Sequence, residues 1–363
     1  MIDRLYSIAR PALFLLDPER IHDGVIAALG RASTSRLALD LIARTAVEAD
    51  PRLAVAIGGI TFPGPVGIAA GLDKNAIAFP ALVGLGWDSV EVGTITPRPQ
   101  PGNPKPRVFR LRDDHALINR LGFPGEGADS IATHLIQRRH SRAVIGCNIG
   151  PNKASVDAGL EAVVADCAHL AMRFASLANY LVVNISSPNT AHLRDLQGKG
   201  ALQVLLTKVN AAIPDRVPIS LLVKIAPDLN EAEISDVVSA VLGTGLDGIV
   251  ATNTTIARPP FLKSRGRGEA GGLSGPPLRE RSLRVVRQIA AETDGKLPII
   301  AVGGIASGAD ALAAIRAGAW LVQAYTGLIY EGPGLAARIK RELSRELDRT
   351  GASTLDELRQ LPG

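Results

Sequence analysis

The sequence predicts an α/β protein, a (β/α)8 TIM barrel with a small N-terminal helical extension. From residue 53 onward, short apolar runs alternate with helical stretches, and eight of these runs qualify as buried strands. Parallel strands that are covered on both faces are continuously apolar. Each run here ends in small or polar residues, as barrel strands do at their ligand-binding end. The alternative is a doubly wound open sheet, but the sequence has neither a G-x-G-x-x-G after its first strand nor a P-loop.

Residues 1–45 predict three short amphipathic helices before any strand. The second helix starts at Asp17-Pro18-Glu19, where Asp caps, Pro takes the first turn and Glu meets the helix dipole. A third helix is predicted over 37–43. The apolar positions at helical spacing in the first two are Leu5, Ile8, Ala12, Leu15, Leu16, Ile21, Val25 and Leu29. These helices either pack against the main domain or dip into a membrane interface. We divide the chain into a helical domain, 1–45, and a barrel domain, 46–363.

A hairpin and eight buried strands are predicted along the rest of the chain. The hairpin strands, 53–57 and 60–62, are joined at Gly58-Gly59. The buried strands are predicted over 66–70, 89–93, 144–149, 181–185, 219–224, 248–252, 299–302 and 321–324. Helices separate them, among them 75–85, 231–242, 278–293 and 308–317.

Composition and charge exclude some partners and permit others. Aromatic residues make up 4% of the chain, too few for a platform that stacks single-stranded nucleic acid, so no nucleic-acid partner is expected. A net charge of +5 permits attraction to phosphates or to an anionic membrane without requiring either. Cys147 and Cys167 lack the spacing of metal ligands, which predicts reduced thiols, no metal site and a cytoplasmic location.

The ends of the predicted strands carry the candidate chemistry. The stretch 180–190, YLVVNISSPNT, runs from an apolar strand into five hydrogen-bonding side chains, which fits either a ligand site or a simple turn. Lys74 follows an apolar strand and Lys224 ends one, and a lysine is costly there unless an anion or an electron-rich ring meets it. Gly303-Gly304 and Tyr325-Thr326 follow the last two strands, where this fold usually builds a phosphate site. A phosphate site beside hydrogen-bonding groups for a ring is what flavin mononucleotide would require.

Six motifs carry a family resemblance. They are AAGLDKN (69–75), VGTITPRPQPGNPKPRVFRL (92–111), INRLGF (118–123), VNISSPNT (183–190), GGLSGPPL (271–278) and VGGI (302–305). Together they resemble the dihydroorotate dehydrogenase family, specifically its quinone-dependent, membrane-associated class, over about residues 1–340. The soluble class of the family carries Cys where this chain has Ser187, and it lacks the helical extension. The resemblance implies oxidation of (S)-dihydroorotate to orotate in de novo pyrimidine (UMP) biosynthesis, with FMN as cofactor and ubiquinone or menaquinone as acceptor.

The resemblance also implies roles for individual residues, with Ser187 as the catalytic base. Flavin contacts would fall on Ala70, Gly71, Leu72, Asp73, Lys74, Thr94, Asn148, Asn184, Lys224, Thr252, Gly275, Gly304, Tyr325 and Thr326. Substrate contacts would fall on Lys74, Asn119, Arg120, Leu121, Gly122, Phe123, Asn184, Asn189, Asn253 and Thr254. The residues near the quinone head would be His22, Arg110 and Tyr325.

The chemistry of the reaction agrees with these roles. Removing a proton and a hydride from neighbouring ring carbons needs a base on one side of the bond and the flavin on the other. Serine is a poor base by its free pKa, so Ser187 needs a dry pocket and a relay through Thr190 or a water. The asparagines can pair with the imide edge of the ring, and Lys74 supplies positive charge.

The electron acceptor sets the expected location. The sequence has no nicotinamide fingerprint and no iron–sulfur cysteine set, so electrons leave by another route. We expect the N-terminal helices to touch the membrane surface and to form an apolar tunnel for the quinone, with the protein peripheral on the cytoplasmic face of the inner membrane. Two other interpretations stay open: a flavin-free phosphate-binding barrel such as an isomerase, and a membrane or nucleic-acid binder driven by basic charge.

Overall fold

The computed structural model describes residues 2–46, 50–138, 143–190, 193–215 and 217–361. Its strands are β1 (Val55–Ile57), β2 (Ile60–Phe62), β3 (Val66–Ile68), β4 (Ser89–Ile95), β5 (Val108–Leu111), β6 (Ala116–Asn119), β7 (Val144–Ile149), β8 (Tyr180–Asn184), β9 (Ser220–Ile225), β10 (Gly248–Ala251), β11 (Gly272–Ser274), β12 (Ile299–Val302) and β13 (Leu321–Ala324). Its helices are α1 (Ile2–Leu13), α2 (Pro18–Ala32), α3 (Arg36–Ala43), α4 (Phe79–Gly84), α5 (Ala128–Gln137), α6 (Lys153–Ala158), α7 (Leu160–Phe174), α8 (Lys199–Ala211), α9 (Glu231–Thr244), α10 (Arg279–Glu292), α11 (Gly308–Arg316), α12 (Thr326–Glu331), α13 (Leu335–Thr350) and α14 (Leu355–Gln360).

Eight parallel strands close into a barrel, which confirms the predicted fold class. Around the barrel the order is β3, β4, β7, β8, β9, β10, β12, β13 and back to β3. All eight predicted strands are present, and their ends differ from the prediction by at most two residues. The prediction succeeded because these strands are buried almost throughout, so most of their residues are apolar and polar side chains interrupt them only singly.

A short hairpin closes the barrel at the N-terminal ends of its strands. The strands β1 and β2 pair antiparallel and turn at Gly58-Gly59, whose φ values of 53° and 81° favour glycine. Ile57 and Phe62 of the hairpin pack in one cluster with Val144 and Tyr180, which begin two of the barrel strands. This end is therefore filled by the chain itself, and the opposite end is left for a ligand.

The first helix of the barrel is shorter than predicted. We expected it to begin at residue 75, but α4 begins at Phe79. The Asp73 carboxylate accepts hydrogen bonds from the backbone N–H groups of Ile77 and Ala78, at 2.9 and 2.8 Å, and so holds this segment as a loop. Ala76 within it has a φ of 55°, which a helix does not allow.

A second sheet, which the sequence analysis did not predict, lies beside the open end of the barrel. The strands β11, β6 and β5 form an antiparallel sheet in that order. Gly272 of β11 pairs with Asn119 at the end of β6, although the two are far apart in sequence. A three-residue strand with a distant partner gives no periodic signal, so only the tertiary structure reveals it. The sheet places Asn119 at the rim of the barrel.

The three predicted N-terminal helices are present. Asp17 caps α2 as predicted, since its Oδ1 accepts the backbone N–H of Arg20 at 2.9 Å. Val25, on the apolar line predicted for α2, is 48% exposed and so does not pack against the main domain. The helix instead turns Ile26 and Gly30 inward.

Two ion pairs tie these helices to the barrel domain. Asp3 of α1 contacts Arg338 of α13 at 2.6 Å, and Glu19 of α2 contacts Arg107 at 2.7 Å. Within the described ranges, no helix combines the length and apolarity needed to span a membrane. The division between residues 45 and 46 stays a prediction; residues 47–49 next to it lie outside the described part of the chain.

Candidate active site

A cleft opens at the C-terminal ends of the barrel strands, where this fold was expected to bind a ligand. The cleft and the open solvent at its mouth together comprise about 1010 Å³ of empty space. The predicted residues that line it are Ala70, Gly71, Lys74, Thr94, Asn119, Leu121, Gly122, Phe123, Asn184, Ser187, Asn189, Lys224, Thr252, Asn253, Thr254, Gly275, Gly304, Tyr325 and Thr326. The barrel therefore brings most of the predicted site together at one rim.

The floor of the cleft is a buried polar network centred on Glu91, in the middle of β4. The two oxygens of this fully buried side chain accept hydrogen bonds from Asn148 Nδ2 at 2.7 Å and Gln323 Nε2 at 2.8 Å. Because a carboxylate only accepts, both amides turn their nitrogens toward Glu91 and their oxygens away. The Gln323 oxygen is then buried without a hydrogen-bond partner among the described residues, and Gln323 lines the cleft. A donor on a ligand would satisfy it.

Lys224, at the end of β9, is the second unsatisfied group of the floor. It is 5% exposed, lines the cleft and makes no hydrogen bond through its side chain to the part of the chain that the structure describes. Burial lowers the pKa of Lys224, and the Glu91 carboxylate acts against that shift. A buried cation without a partner is costly, so this position fits a ligand that brings an acceptor.

One wall of the cleft is a chain of amide and hydroxyl groups. The Asn148 oxygen accepts from Thr94 Oγ1 at 2.6 Å and from Asn184 Nδ2 at 2.9 Å. The Asn184 oxygen in turn accepts from Asn253 Nδ2 at 3.4 Å. Since Thr94 gives its only hydroxyl proton to Asn148, its oxygen can only accept from a ligand. The direction of each hydrogen bond in this wall therefore follows from the bond that Asn148 donates to Glu91.

Ser187 lies on the loop after β8, with its side chain nearly buried at the cleft. Its Oγ accepts the backbone N–H of Asn189 at 3.2 Å. No other described residue hydrogen-bonds to this oxygen, so neither Thr190 nor a stronger base reaches it directly. The same loop is also held by β6, because Asn189 Nδ2 donates to the side-chain oxygen of Asn119 at 3.3 Å. Thr254 Oγ1, which is buried nearby in the lining, also has no partner among the described atoms.

Lys74 contacts a histidine of the N-terminal helices. Its Nζ lies 2.9 Å from His22 Nε2. Burial lowers the pKa of Lys74 to about 8, although Asp23 and Glu19 act in the opposite direction. Burial and the Lys74 charge together lower the pKa of His22 to about 3, so His22 is neutral at pH 7 and accepts from the ammonium. This contact joins α2 to the rim of the cleft.

The backbone comes close to the cleft after the last two barrel strands. Gly304 has a φ of 74°, and a Cβ there would lie 2.7 Å from Arg279 Cβ. A Cβ on Gly327 would lie 2.1 Å from the Ile305 carbonyl oxygen, so glycine is required at both positions. In the described ranges, the amides of Gly304, Ile305, Thr326 and Gly327 have no hydrogen-bond partner, and all four residues line the cleft. Unpartnered amides of this kind suit a phosphate.

Four predicted contact residues lie behind the lining. Asp73 holds the loop before α4, Asn148 belongs to the polar wall, and Leu72 is part of the hydrophobic core. The Arg120 guanidinium turns to Glu269, 2.9 Å away. These four side chains support the lining residues from outside the cleft.

The three predicted quinone residues lie along the junction of the N-terminal helices and the barrel. Tyr325 lines the cleft, and His22 contacts Lys74. Arg110 donates to the Leu16 carbonyl at 2.7 Å, and its guanidinium lies 4.7 Å from the centre of the Phe14 ring. Two of the three therefore adjoin the cleft, and Arg110 lies on the helical side.

Sequence reasoning missed Glu91 and Gln323. Each interrupts an otherwise apolar strand, in SVEVGTI and in LVQA. An acid or amide inside a barrel strand is buried, and it must have a polar partner there. That signal was available, although the identity of the partner was not.

Comparisons with known proteins agree with this geometry. The family model described as dihydroorotate dehydrogenase matches residues 52–347. The dihydroorotate dehydrogenase (quinone) of Rhodospirillum rubrum is 47% identical over 357 residues, covering 97% of this chain and 93% of the relative. That of Allorhizobium ampelinum is 47% identical over 366 residues, covering 99% and 97%. Among solved structures, DHODH from Eimeria tenella in complex with ferulenol superposes with a TM-score of 0.83 at 40% identity, covering 94% of each chain. Its ligand-free form gives 0.82 at 42% identity, covering 90% and 99%.

Proposed function

The chain belongs to the dihydroorotate dehydrogenase family, and from that premise we propose how its residues oxidise dihydroorotate to orotate and pass the electrons to a quinone. The reaction is a step of pyrimidine biosynthesis. The observation that carries the proposal is the convergence of polar groups from nearly every strand end on one cleft, several of them without partners. The named relatives favour this function over a flavin-free isomerase or a charge-driven binder.

Flavin mononucleotide is the proposed cofactor, because the unsatisfied groups of the cleft match its parts. The unpartnered amides of Gly304 and Thr326 suit its phosphate, while Lys224 and the Gln323 oxygen suit the hydrogen-bonding edge of its ring. When bound, the flavin supplies the hydride acceptor that no side chain provides. The residues proposed to hold it, directly or through the wall behind them, are Ala70, Gly71, Leu72, Asp73, Lys74, Thr94, Asn148, Asn184, Lys224, Thr252, Gly275, Gly304, Tyr325 and Thr326.

Four asparagines around the cleft are the proposed contacts of the substrate ring: Asn119, Asn184, Asn189 and Asn253. An amide offers a donor and an acceptor side by side, which matches the alternating edge of a pyrimidine imide. Lys74 offers its ammonium to the substrate carboxylate, and an anion beside it would raise its burial-lowered pKa again. The loop 119–123 and Thr254 complete the proposed contacts.

Ser187 is the proposed base that takes the ring proton. Its own hydroxyl proton must leave first, and the Asn189 N–H, 3.2 Å from Oγ, would stabilise the negative charge that then develops on the oxygen. Burial of Ser187 keeps bulk water from competing. The exit route of that proton, through a water and from there to solvent or to Thr190, is part of the hypothesis.

The electron acceptor is proposed to reach the cleft from the N-terminal helices. Large apolar side chains there are more than half exposed to solvent, among them Leu37 at 81% and Leu15 at 78%. Exposed apolar surface of this kind suits an interfacial position on a membrane, which we place at the cytoplasmic face. His22, Arg110 and Tyr325 are the proposed neighbours of the quinone head.

A visible spectrum of the purified protein tests the function. We expect a flavin absorption band that bleaches when dihydroorotate is added without oxygen, and that returns when a quinone is added. A colourless protein would refute the cofactor. A flavin band that persists with dihydroorotate would refute the substrate.

A further inference from the structure

Arg194 has no role in the site so far, yet its guanidinium contacts the segments that follow three consecutive barrel strands. It lies in a short 3₁₀ helix, Leu193–Gln197. Its Nε donates to the Ser186 carbonyl at 3.0 Å, its Nη1 to Asp228 Oδ2 at 2.8 Å, and its Nη2 to the Thr254 carbonyl at 2.8 Å. Ser186 follows β8, Asp228 follows β9 and Thr254 follows β10, so one side chain holds three strand ends together.

The shape of the guanidinium makes this contact specific. Its nitrogens are coplanar and fixed in direction, so each of the three acceptors is held at a defined angle and distance. A lysine ammonium, on a flexible stem, would not fix three separate directions. Asp228 also balances the charge of Arg194, and both side chains are more than four-fifths buried, at 16% and 19% exposure.

The two carbonyls that Arg194 binds lie next to proposed site residues. Ser186 precedes Ser187, and its N–H and hydroxyl both donate to the Asn184 oxygen, at 3.3 and 3.0 Å. With Arg194 on its carbonyl, Ser186 is held from both sides, and so is the peptide that leads to Ser187. Thr254 carries the buried, unpartnered Oγ1 that lines the cleft.

The 3₁₀ helix that carries Arg194 is itself anchored. Leu193 is fully buried in the hydrophobic core. Gln197 Oε1 accepts the backbone N–H of Ala226 at 2.9 Å, beyond the end of β9. The backbone of this helix is therefore held in place, as it must be if Arg194 is to set the distances between other segments.

We propose that Arg194 is a positioning residue, a clamp that sets the separation between the Ser187 loop and the Thr254 wall of the cleft. The inference rests on the proposed role of Ser187 as base. A displacement of about 1 Å can slow a reaction on the order of 10²-fold, so losing the clamp slows proton removal. Lys224 and the unpartnered amides after β12 and β13 make no contact with Arg194, so flavin stays bound.

The test measures the two half-reactions of the flavin-loaded enzyme separately by stopped flow. For Arg194→Ala we expect reduction by dihydroorotate to slow by about 10- to 100-fold, while reoxidation by a quinone stays within about twofold. Free guanidinium ion at millimolar concentration should restore part of the lost rate in Arg194→Ala and leave the unsubstituted enzyme unchanged. Arg194→Lys should remain slow, because it keeps the charge without the planar fork.

The matched control is Arg281→Ala, since Arg281 also contacts Asp228, at 3.4 Å, but binds neither strand-end carbonyl. Dihydroorotate should reduce the flavin of Arg281→Ala at the same rate as that of the unsubstituted enzyme. Two results would overturn the proposal. One is a rate of flavin reduction in Arg194→Ala within about twofold of that rate, and the other is an equal loss of rate in both half-reactions without rescue by guanidinium. If Arg194→Ala is insoluble, the same two half-reactions are measured in Arg194→Lys and Asp228→Asn. Slow reduction with unchanged reoxidation would support the clamp, and equal losses of rate would overturn it. An unsubstituted enzyme that dihydroorotate does not reduce would refute the proposed function instead.

Discussion

Two buried lysines at opposite ends of the barrel differ in one respect: among the described residues, only one of them has a hydrogen-bond partner. Lys340 of α13, near the closed end, is 8% exposed and donates to Asp88 at 3.0 Å and to the Gly86 carbonyl at 2.7 Å. Lys224 at the open end is buried to a similar degree, and the described residues offer its ammonium no hydrogen bond. Desolvation is costly for both cations. The fold satisfies one of them internally and leaves the other for a ligand.

The same contrast holds for serines. Ser220 begins β9 at the closed end, and its buried hydroxyl donates to the Gly58 carbonyl at 3.2 Å. Ser187 at the open end accepts a backbone N–H, and no described residue accepts its own proton. Burial therefore does not identify the functional residue; the unused hydrogen-bonding capacity does.

The largest effect is expected from substituting the two serines in turn. Ser187→Ala should slow flavin reduction by dihydroorotate on the order of 10²-fold or more, because the proposed base is removed. The flavin should stay bound, which its visible spectrum would show. Ser220→Ala should leave the reduction rate unchanged and lower the free energy of unfolding by about 1 kcal/mol, the contribution of one hydrogen bond. Equal reduction rates in the two variants would remove Ser187 from its role.

The second test exchanges the two lysines for methionine. Lys224→Met should weaken flavin binding by about tenfold or more, since a charge-assisted hydrogen bond contributes roughly 1.5–3 kcal/mol, and it should not destabilise the apoprotein. Lys340→Met should leave flavin binding intact. It should lower the free energy of unfolding by about 3–5 kcal/mol, because Asp88 is left buried without its partner. Flavin titration and denaturant unfolding measure the two quantities, and a reversed pattern would contradict the comparison.

A third lysine, Lys74, should give a smaller effect, which changes gradually with pH. Burial lowers the pKa of Lys74 to about 8 in the free protein. An anionic ligand such as orotate favours the protonated form, so the free protein above pH 8 must regain a proton to bind it. The dissociation constant should then rise about tenfold per pH unit above 8, until the raised pKa of the complex is passed. His22, with a pKa of about 3, does not titrate in this range.

Lys74→Gln is the control for the pH dependence. It should bind orotate more weakly at pH 7 and show no rise between pH 8 and 10. A dissociation constant of the unsubstituted enzyme that stays flat over that interval would exclude Lys74 as the anion contact.

The barrel was predictable because its strands obey one simple rule, whereas the elements around it do not. A strand covered on both faces is mostly apolar, and 144–149 and 299–302 were placed without error for that reason. Residues 75–78 looked helical by composition, but the Asp73 carboxylate competes for their backbone N–H groups. The pairing of β11 with β6 depends on a contact between distant segments, which no local pattern encodes.

The site was predictable as a set of residues and much less so as a geometry. Strand ends gave Lys74, Ser187 and Lys224 as candidates, and all three line the cleft. The sequence could not show that Glu91 sits beneath them and sets which atom of each amide faces the ligand. It also could not show that Arg194 reaches across three strand ends, because directions of hydrogen bonds emerge only when the segments meet.

The buried pair between Glu19 and Arg107 has a practical consequence for producing the protein. Arg107 also donates to the Pro101 and Asn103 carbonyls, at 2.6 and 2.8 Å, so its guanidinium is fixed in place. A truncated version without the first 45 residues, an obvious choice to improve solubility, would remove the carboxylate that pairs with this guanidinium. Expression trials should therefore keep the full N-terminus and use a mild detergent, or replace exposed leucines such as Leu37 with serine.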